Sequence, residues 1–176
     1  MKFSVMVSQW LGRALLLSLV FLVGCGFHLR GDTQLSPLLN QTYLQGIAPY
    51  SPLGIGLKRR LEAHGITITS VPEEATALLS ITYNQLQRQV LSVESTGKVQ
   101  EYALKYVLQF QVINPKGEVL LPSQRLELMR QYLFDQSSVI SAGEQEKLLR
   151  ETLENDMVQQ ILWRLEALPP SHVDEG

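Results

Sequence analysis

Six apolar residues at every second position, Tyr102, Leu104, Tyr106, Leu108, Phe110 and Val112, restrict this chain more than any other feature of it. Glu101, Lys105, Gln109 and Gln111 lie between them. A period of two puts one set on each side of an extended strand, so the segment 101–114 is a strand with one core face and one wet face. Such a strand needs hydrogen-bonded neighbours, and the flanking sequence provides candidates. Asn114-Pro115-Lys116-Gly117 has the residues a type I turn favours at its first, second and fourth places. A return strand over 118–134 follows, with Leu126, Leu128, Tyr132 and Phe134 in alternation and Pro122 implying an edge or a kink. On the other side, 78–92 reads as a strand with Leu79, Ile81 and Tyr83 on one face and Ser80, Thr82 and Asn84 on the other, long enough to expect a bulge.

Helical signals flank these strands. Ser51-Pro52 offers an N-cap and a proline at the first helical position, Leu53, Leu57 and Leu61 recur every four residues, and Gly65 follows His64 as a stop. This predicts a helix over 52–64. Ser141-Ala-Gly-Glu144 has capping-box spacing, and Leu149, Leu153, Met157, Ile161 and Leu165 form a stripe ended by Pro169-Pro170. A first strand is expected over 41–45, and 66–70 alternates briefly enough to be a short one. The expected fold class is α+β, with two helices packed on one face of a four-stranded mixed, mainly antiparallel sheet. The other sheet face stays polar. With 176 residues, 45% of them hydrophobic, one domain over 41–168 is expected, followed by a flexible tail over 169–176.

The start of the chain carries an address. Lys2 and Arg13 precede the apolar run Ala14–Val23, which at ten residues is half of the roughly 20 a membrane-spanning helix needs. A charged start and a short apolar run form the pattern of a secretory signal. Leu22-Val23-Gly24-Cys25 resembles the lipobox of bacterial lipoproteins, which implies a signal peptide over 1–24, cleavage before Cys25, and a diacylglycerol and an N-acyl chain on that cysteine. Each buried methylene adds about 0.8 kcal/mol and one chain holds only marginally, so several chains make a firm anchor. Residue 26 is Gly where inner-membrane retention signals have Asp, which implies the outer membrane, periplasmic side. Residues 25–40 show no periodicity and are expected to be a lipidated tether.

Several function classes lack support. Loss of the first 24 residues removes Lys2 and Arg13 and no acid, leaving 13 basic and 17 acidic residues and a formal charge of −4, without the basic face of a nucleic-acid binder. The single cysteine rules out an intramolecular disulfide and a cysteine-based zinc site. His28, His64 and His172 fall in the tether, at a helix end and in the tail, so neither a metal site nor a nucleophile–histidine pair has the residues it needs. Gly54-Ile-Gly56 lacks the third glycine of a phosphate loop. No enzyme, cofactor or metal is expected. Glutamine is prominent instead: Gln85, Gln87 and Gln89 on one strand, Gln109 and Gln111 on the next. Either this is a solvated face, or it meets another polar protein surface, since an amide donates and accepts hydrogen bonds and costs less to desolvate than a charge.

Cys25-Gly-Phe-His-Leu-Arg-Gly31 and Val93-Glu-Ser-Thr-Gly97-Lys-Val-Gln-Glu101-Tyr102 resemble the LPS-assembly lipoproteins, the LptE family. The resemblance implies a non-enzymatic lipoprotein that plugs the large outer-membrane barrel LptD in a 1:1 complex, helps it assemble, forms with it the translocon that inserts lipopolysaccharide into the outer leaflet, and binds lipopolysaccharide. A domain of about 150 residues has a radius of gyration of roughly 15 Å, so only a barrel of more than about 16 to 18 strands could hold it, and barrel interiors are polar. From the strand order, Arg88, Lys98 and Arg130 should lie towards one end and form a lipopolysaccharide contact; the alternative is three scattered surface charges. Family members carry basic residues in the loop before the last helix, whereas 135–143 here has none. The rival functions are a stand-alone lipid-binding periplasmic lipoprotein, and a periplasmic enzyme that depends on His64.

Overall fold

The computed structural model describes residues 35–134 and 139–168, with the backbone alone at 139–141. Leu22, Val23, Gly24, Cys25, the expected signal peptide, most of the expected tether and the tail after 168 lie outside the described residues. The strands are β1 (Gln41–Gln45), β2 (Thr67–Thr69), β3 (Ala77–Val93), β4 (Val99–Ile113) and β5 (Val119–Leu133), and the helices are α1 (Pro52–Ala63) and α2 (Val139–Glu166). They form one sheet in the order β2-β1-β3-β4-β5. β1 is parallel to both β2 and β3, and β3-β4-β5 is an antiparallel meander.

The sheet therefore has five strands where four were expected. The brief alternation after Ile66 is a real strand, Thr67–Thr69, which pairs with Gln41–Tyr43 because α1 returns the chain to the same end of β1, as a parallel crossover requires. Three residues give too little periodicity to count from sequence. A second correction concerns the tether. Leu35, Ser36 and Leu39 are buried, with Pro37–Leu39 in a 3-10 turn, so the packed domain begins at Leu35 and not at 41. Thr42, also buried, donates to the Leu39 carbonyl at 2.8 Å and joins this turn to β1.

Local chemistry accounts for most boundaries. The Ser51 hydroxyl accepts from the Gly54 amide at 3.1 Å at the start of α1, and His64 caps its end. Both hairpins of the meander close in the same way. The Gly97 amide bonds the Glu94 carbonyl and the Gly117 amide bonds the Asn114 carbonyl, each at 2.9 Å, and both glycines have positive φ. The Asn114 side-chain oxygen also accepts from the Lys116 and Glu118 amides at 3.0 and 2.9 Å, which fixes the second turn. α2 begins at Val139, two residues before the expected cap, so Ser141 lies inside the helix.

Both helices lie on one side of the sheet. Leu53, Leu57 and Leu61 of α1 and Leu153, Met157, Ile161 and Leu165 of α2 are buried against Leu79, Leu104, Leu108, Phe110 and Val112. Each such side chain contributes about 1.5–3 kcal/mol of burial free energy before chain entropy is set against it. Gly56 lets the helices approach, since a Cβ there would stand 3.0 Å from Cγ2 of Val158. The opposite sheet face carries no described element.

Candidate partner-binding face

In an antiparallel ladder, residues directly opposite each other share a face. The register therefore gives the rows of the open face across β3, β4 and β5: Tyr83–Gln109–Arg125, Gln85–Val107–Glu127, Gln87–Lys105–Met129 and Gln89–Ala103–Gln131, with Ser92–Glu101–Leu133 nearest the β3–β4 turn. Gln111 is on the same face, opposite Ser80. The five expected glutamines thus share one surface. Gln85, Gln87 and Gln89 are exposed, and Gln109 and Gln111 are half-buried.

One expected side is reversed. The register shifts between Ile81 and Tyr83, so Thr82 is extra and Tyr83 turns to the open face, 42% exposed, where its hydroxyl donates to the Gln85 side-chain oxygen. Beyond the shift Asn84, Leu86, Arg88 and Val90 share the helix side with Leu108, Tyr106, Leu104 and Tyr102. The bulge keeps the glutamines outward and Leu86 inward; an unbroken alternation from Leu79 would have done the reverse.

Charge on the open face is balanced within it. Glu127 accepts from Lys105 at 2.5 Å and from Arg125 at 3.5 Å, and the contact with Lys105 holds its carboxyl below the usual range. Ser92 donates to Glu101 at 2.8 Å. Ala103 and Val107 are buried although they face outward, shielded by the long neighbours in their rows. Met129 and Leu133 are 48% and 70% exposed on β5. The face offers amide donors and acceptors, the exposed Tyr83, Met129 and Leu133, and little net charge.

Of the three expected lipid-contact cations, two lie near each other and the third is apart. Arg88 and Arg130 flank Leu104 in one register row, both on the helix side, and each is tied to α2. Arg88 donates to Glu146 at 3.0 Å and sits 4.5 Å over the Tyr102 ring, and Arg130 donates to Asp156 at 2.7 Å. Lys98 lies in the β3–β4 turn, six residues from Leu104 along β4, which is roughly 20 Å at strand rise. It is exposed, and its ammonium has no ion-pair partner among the described residues.

Sequence reasoning missed the joint that Arg88 belongs to. Glu146 accepts from Arg88, from the Tyr132 hydroxyl at 2.5 Å and from Arg150 at 2.7 and 2.9 Å. Burial pushes the Glu146 carboxyl up, but the hydrogen bonds from Tyr132, Arg150 and Arg88 outweigh it and hold the pKa below its ordinary value. Burial and the bond to Glu146 push the Tyr132 hydroxyl up to about 12. Only the i,i+4 spacing of Glu146 and Arg150 was a local signal; the other partners come from two strands distant in sequence.

A single sheet covered by helices on one side, with an amide-rich open side, defines a lone-sheet domain of the α+β class. The chain belongs to the lipopolysaccharide-assembly family LptE, whose family model matches residues 39–165. A protein named LPS-assembly lipoprotein LptE from Yersinia enterocolitica is 30% identical over 154 residues, covering 86% of this chain and 73% of the relative. One of the same name from Pectobacterium atrosepticum is 27% identical over 150 residues, 85% of this chain and 80% of that one. Among solved structures, lipoprotein B of Nitrosomonas europaea superposes with a TM-score of 0.65 at 26% identity, over 78% of this chain and 88% of that one. A minor lipoprotein of Acinetobacter baumannii gives 0.62 at 26% identity, over 76% and 97%.

Proposed function

We propose that this chain is a non-enzymatic, lipid-anchored outer-membrane lipoprotein that occupies the lumen of the LptD barrel, assists its assembly, and forms with it the translocon that delivers lipopolysaccharide to the outer leaflet. Membership of the LptE family supports the process. The observation that carries the plug role is the open sheet face: amides able to donate and accept, and charges already balanced by neighbours. That chemistry suits the polar wall of a large barrel. The lipobox-like Leu22-Val23-Gly24-Cys25 supports an anchor on Cys25, about ten residues before the packed domain begins at Leu35.

For lipopolysaccharide the geometry favours Lys98, whose ammonium has no ion-pair partner among the described residues and stands at the turn, where an anionic headgroup can reach it. Arg88 and Arg130 already hold carboxylates of α2 and serve the helix–sheet joint. The test is isolation of the lipidated chain in mild detergent. A stoichiometric large barrel is expected with it, and combined replacement of Gln85, Gln87 and Gln89 by Ala should lower the barrel recovered while shifting stability by no more than about 1 kcal/mol, since all three are exposed. A lone monomer carrying lipid would overturn the reading in favour of a solitary lipid carrier.

A further inference from the structure

The two edges of the sheet are treated differently. One edge is β2, three residues long, and shortness is among the commonest means of blunting an edge. The other is β5, fifteen residues, paired with β4 on one side and with no described strand on the other. Pro122 protects only its beginning, and from Gln124 to Leu133 the register runs without a shift.

The direction of the free groups can be assigned. The Phe134 amide donates to the Gln100 carbonyl at 2.8 Å, so the even-numbered positions of this stretch turn their backbone groups towards β4. Alternation then turns the N–H and C=O of the odd-numbered positions, Met129, Gln131 and Leu133 among them, away from the sheet. Of these same residues, Met129 and Leu133 are exposed on the open face. On the helix side, a groove of about 240 Å³ runs beside the edge, formed by Leu128, Arg130, Asp156, Gln159, Gln160 and Trp163, with Trp163 52% exposed. A row of outward amides and carbonyls with apolar contacts above and below is what an added strand requires.

We infer that β5 receives an extended segment of the barrel partner over Arg125–Leu133, which adds as a sixth strand to this sheet. The inference rests on the proposed plug role. The wall of a closed barrel has no free edge to offer, so the segment must be one that projects into the lumen. The nearby charges, Arg125, Glu127 and Arg130, are already paired within the domain, so an uncharged segment with apolar residues in alternation fits best.

Residue-resolved hydrogen exchange on the chain alone and on its detergent-solubilised complex with the barrel tests this. The amides of Met129, Gln131 and Leu133 should exchange rapidly in the isolated chain and at least tenfold more slowly in the complex, while those of Leu128 and Arg130 are protected in both. Gln131→Pro deletes one outward N–H and no ladder bond, so it should lower the barrel recovered where Gln131→Ala does not, with circular dichroism checking the fold; if the proline variant fails to fold, the exchange comparison on the parent chain decides. A complex that forms with those three amides unchanged would overturn the edge proposal and leave the plug reading standing. Failure to recover any barrel would overturn both. Protection in the isolated chain together with a doubled mass would make a second copy the occupant, and the inference would be wrong.

Discussion

Among the described glycines, Gly46 combines a positive φ with the tightest surroundings. Its φ is 76°, and a Cβ would stand 2.1 Å from the Ile81 carbonyl oxygen, a backbone atom that cannot turn aside. Gly97 has a similar φ of 82° but open space around it. Gly97→Ala should therefore cost about 1 kcal/mol of left-handed strain, and Gly46→Ala at least about 3 kcal/mol, since strand β3 must also move. Urea unfolding of the two variants checks the difference, and equal losses would contradict this account of Gly46. At this scale the sequence was informative where a residue acts on its own neighbours, as Ser51 and Asn114 do. Tyr83 defeated it, because one extra residue in β3 reverses every later side chain and Thr82 carries no mark of being that residue.

Among the elements, α2 is held to the sheet by its buried stripe and by polar contacts at Glu146 and Asp156. The Arg130–Asp156 pair is about half exposed and contributes little. Glu146 is the stronger attachment, with a side chain 17% exposed and three hydrogen-bonding partners. Its native pKa lies below the ordinary 4.5, so its contribution is complete above that value and is lost as pH falls through the native pKa. Glu154, raised by burial and by Glu151, acts in the opposite sense, so the contrast between variant and parent is the useful quantity. Glu146→Gln should cost about 1–2 kcal/mol at pH 7 and lose less than the parent as pH falls below 4.5, measured as melting temperature against pH. The leucine spacing made α2 legible, yet most of its polar attachment depends on Arg88, Arg130 and Tyr132, which lie on strands far away in the chain.

For the whole molecule, the one-sided sheet was legible because the alternation in β4 and the stripes of both helices demand it together. The five-strand count and the inclusion of Leu35 and Leu39 in the core were not, because three residues of strand and one turn of 3-10 helix carry almost no pattern. The candidate surface was legible in composition, through its glutamines, and not in geometry: the lipid-contact cations were placed by strand direction alone, and ion pairs across the fold assign two of them elsewhere.

The position of β1 has a kinetic consequence. This strand, first among the described residues, lies between β2 and β3, both of which come later, and its pairing with β3 joins residues 35 apart. The β3-β4-β5 meander closes through two tight turns and needs only near neighbours. Loop closure should therefore let the meander form first and leave β1 waiting for a docking site. Pulse-labelled exchange during refolding should show amides of Leu104–Phe110 protected before those of Thr42–Leu44; the reverse order would refute it. A chain made and exported from its N-terminus would then carry β1 without its β3 partner until much of the meander had followed, an interval during which a holding chaperone has something to bind.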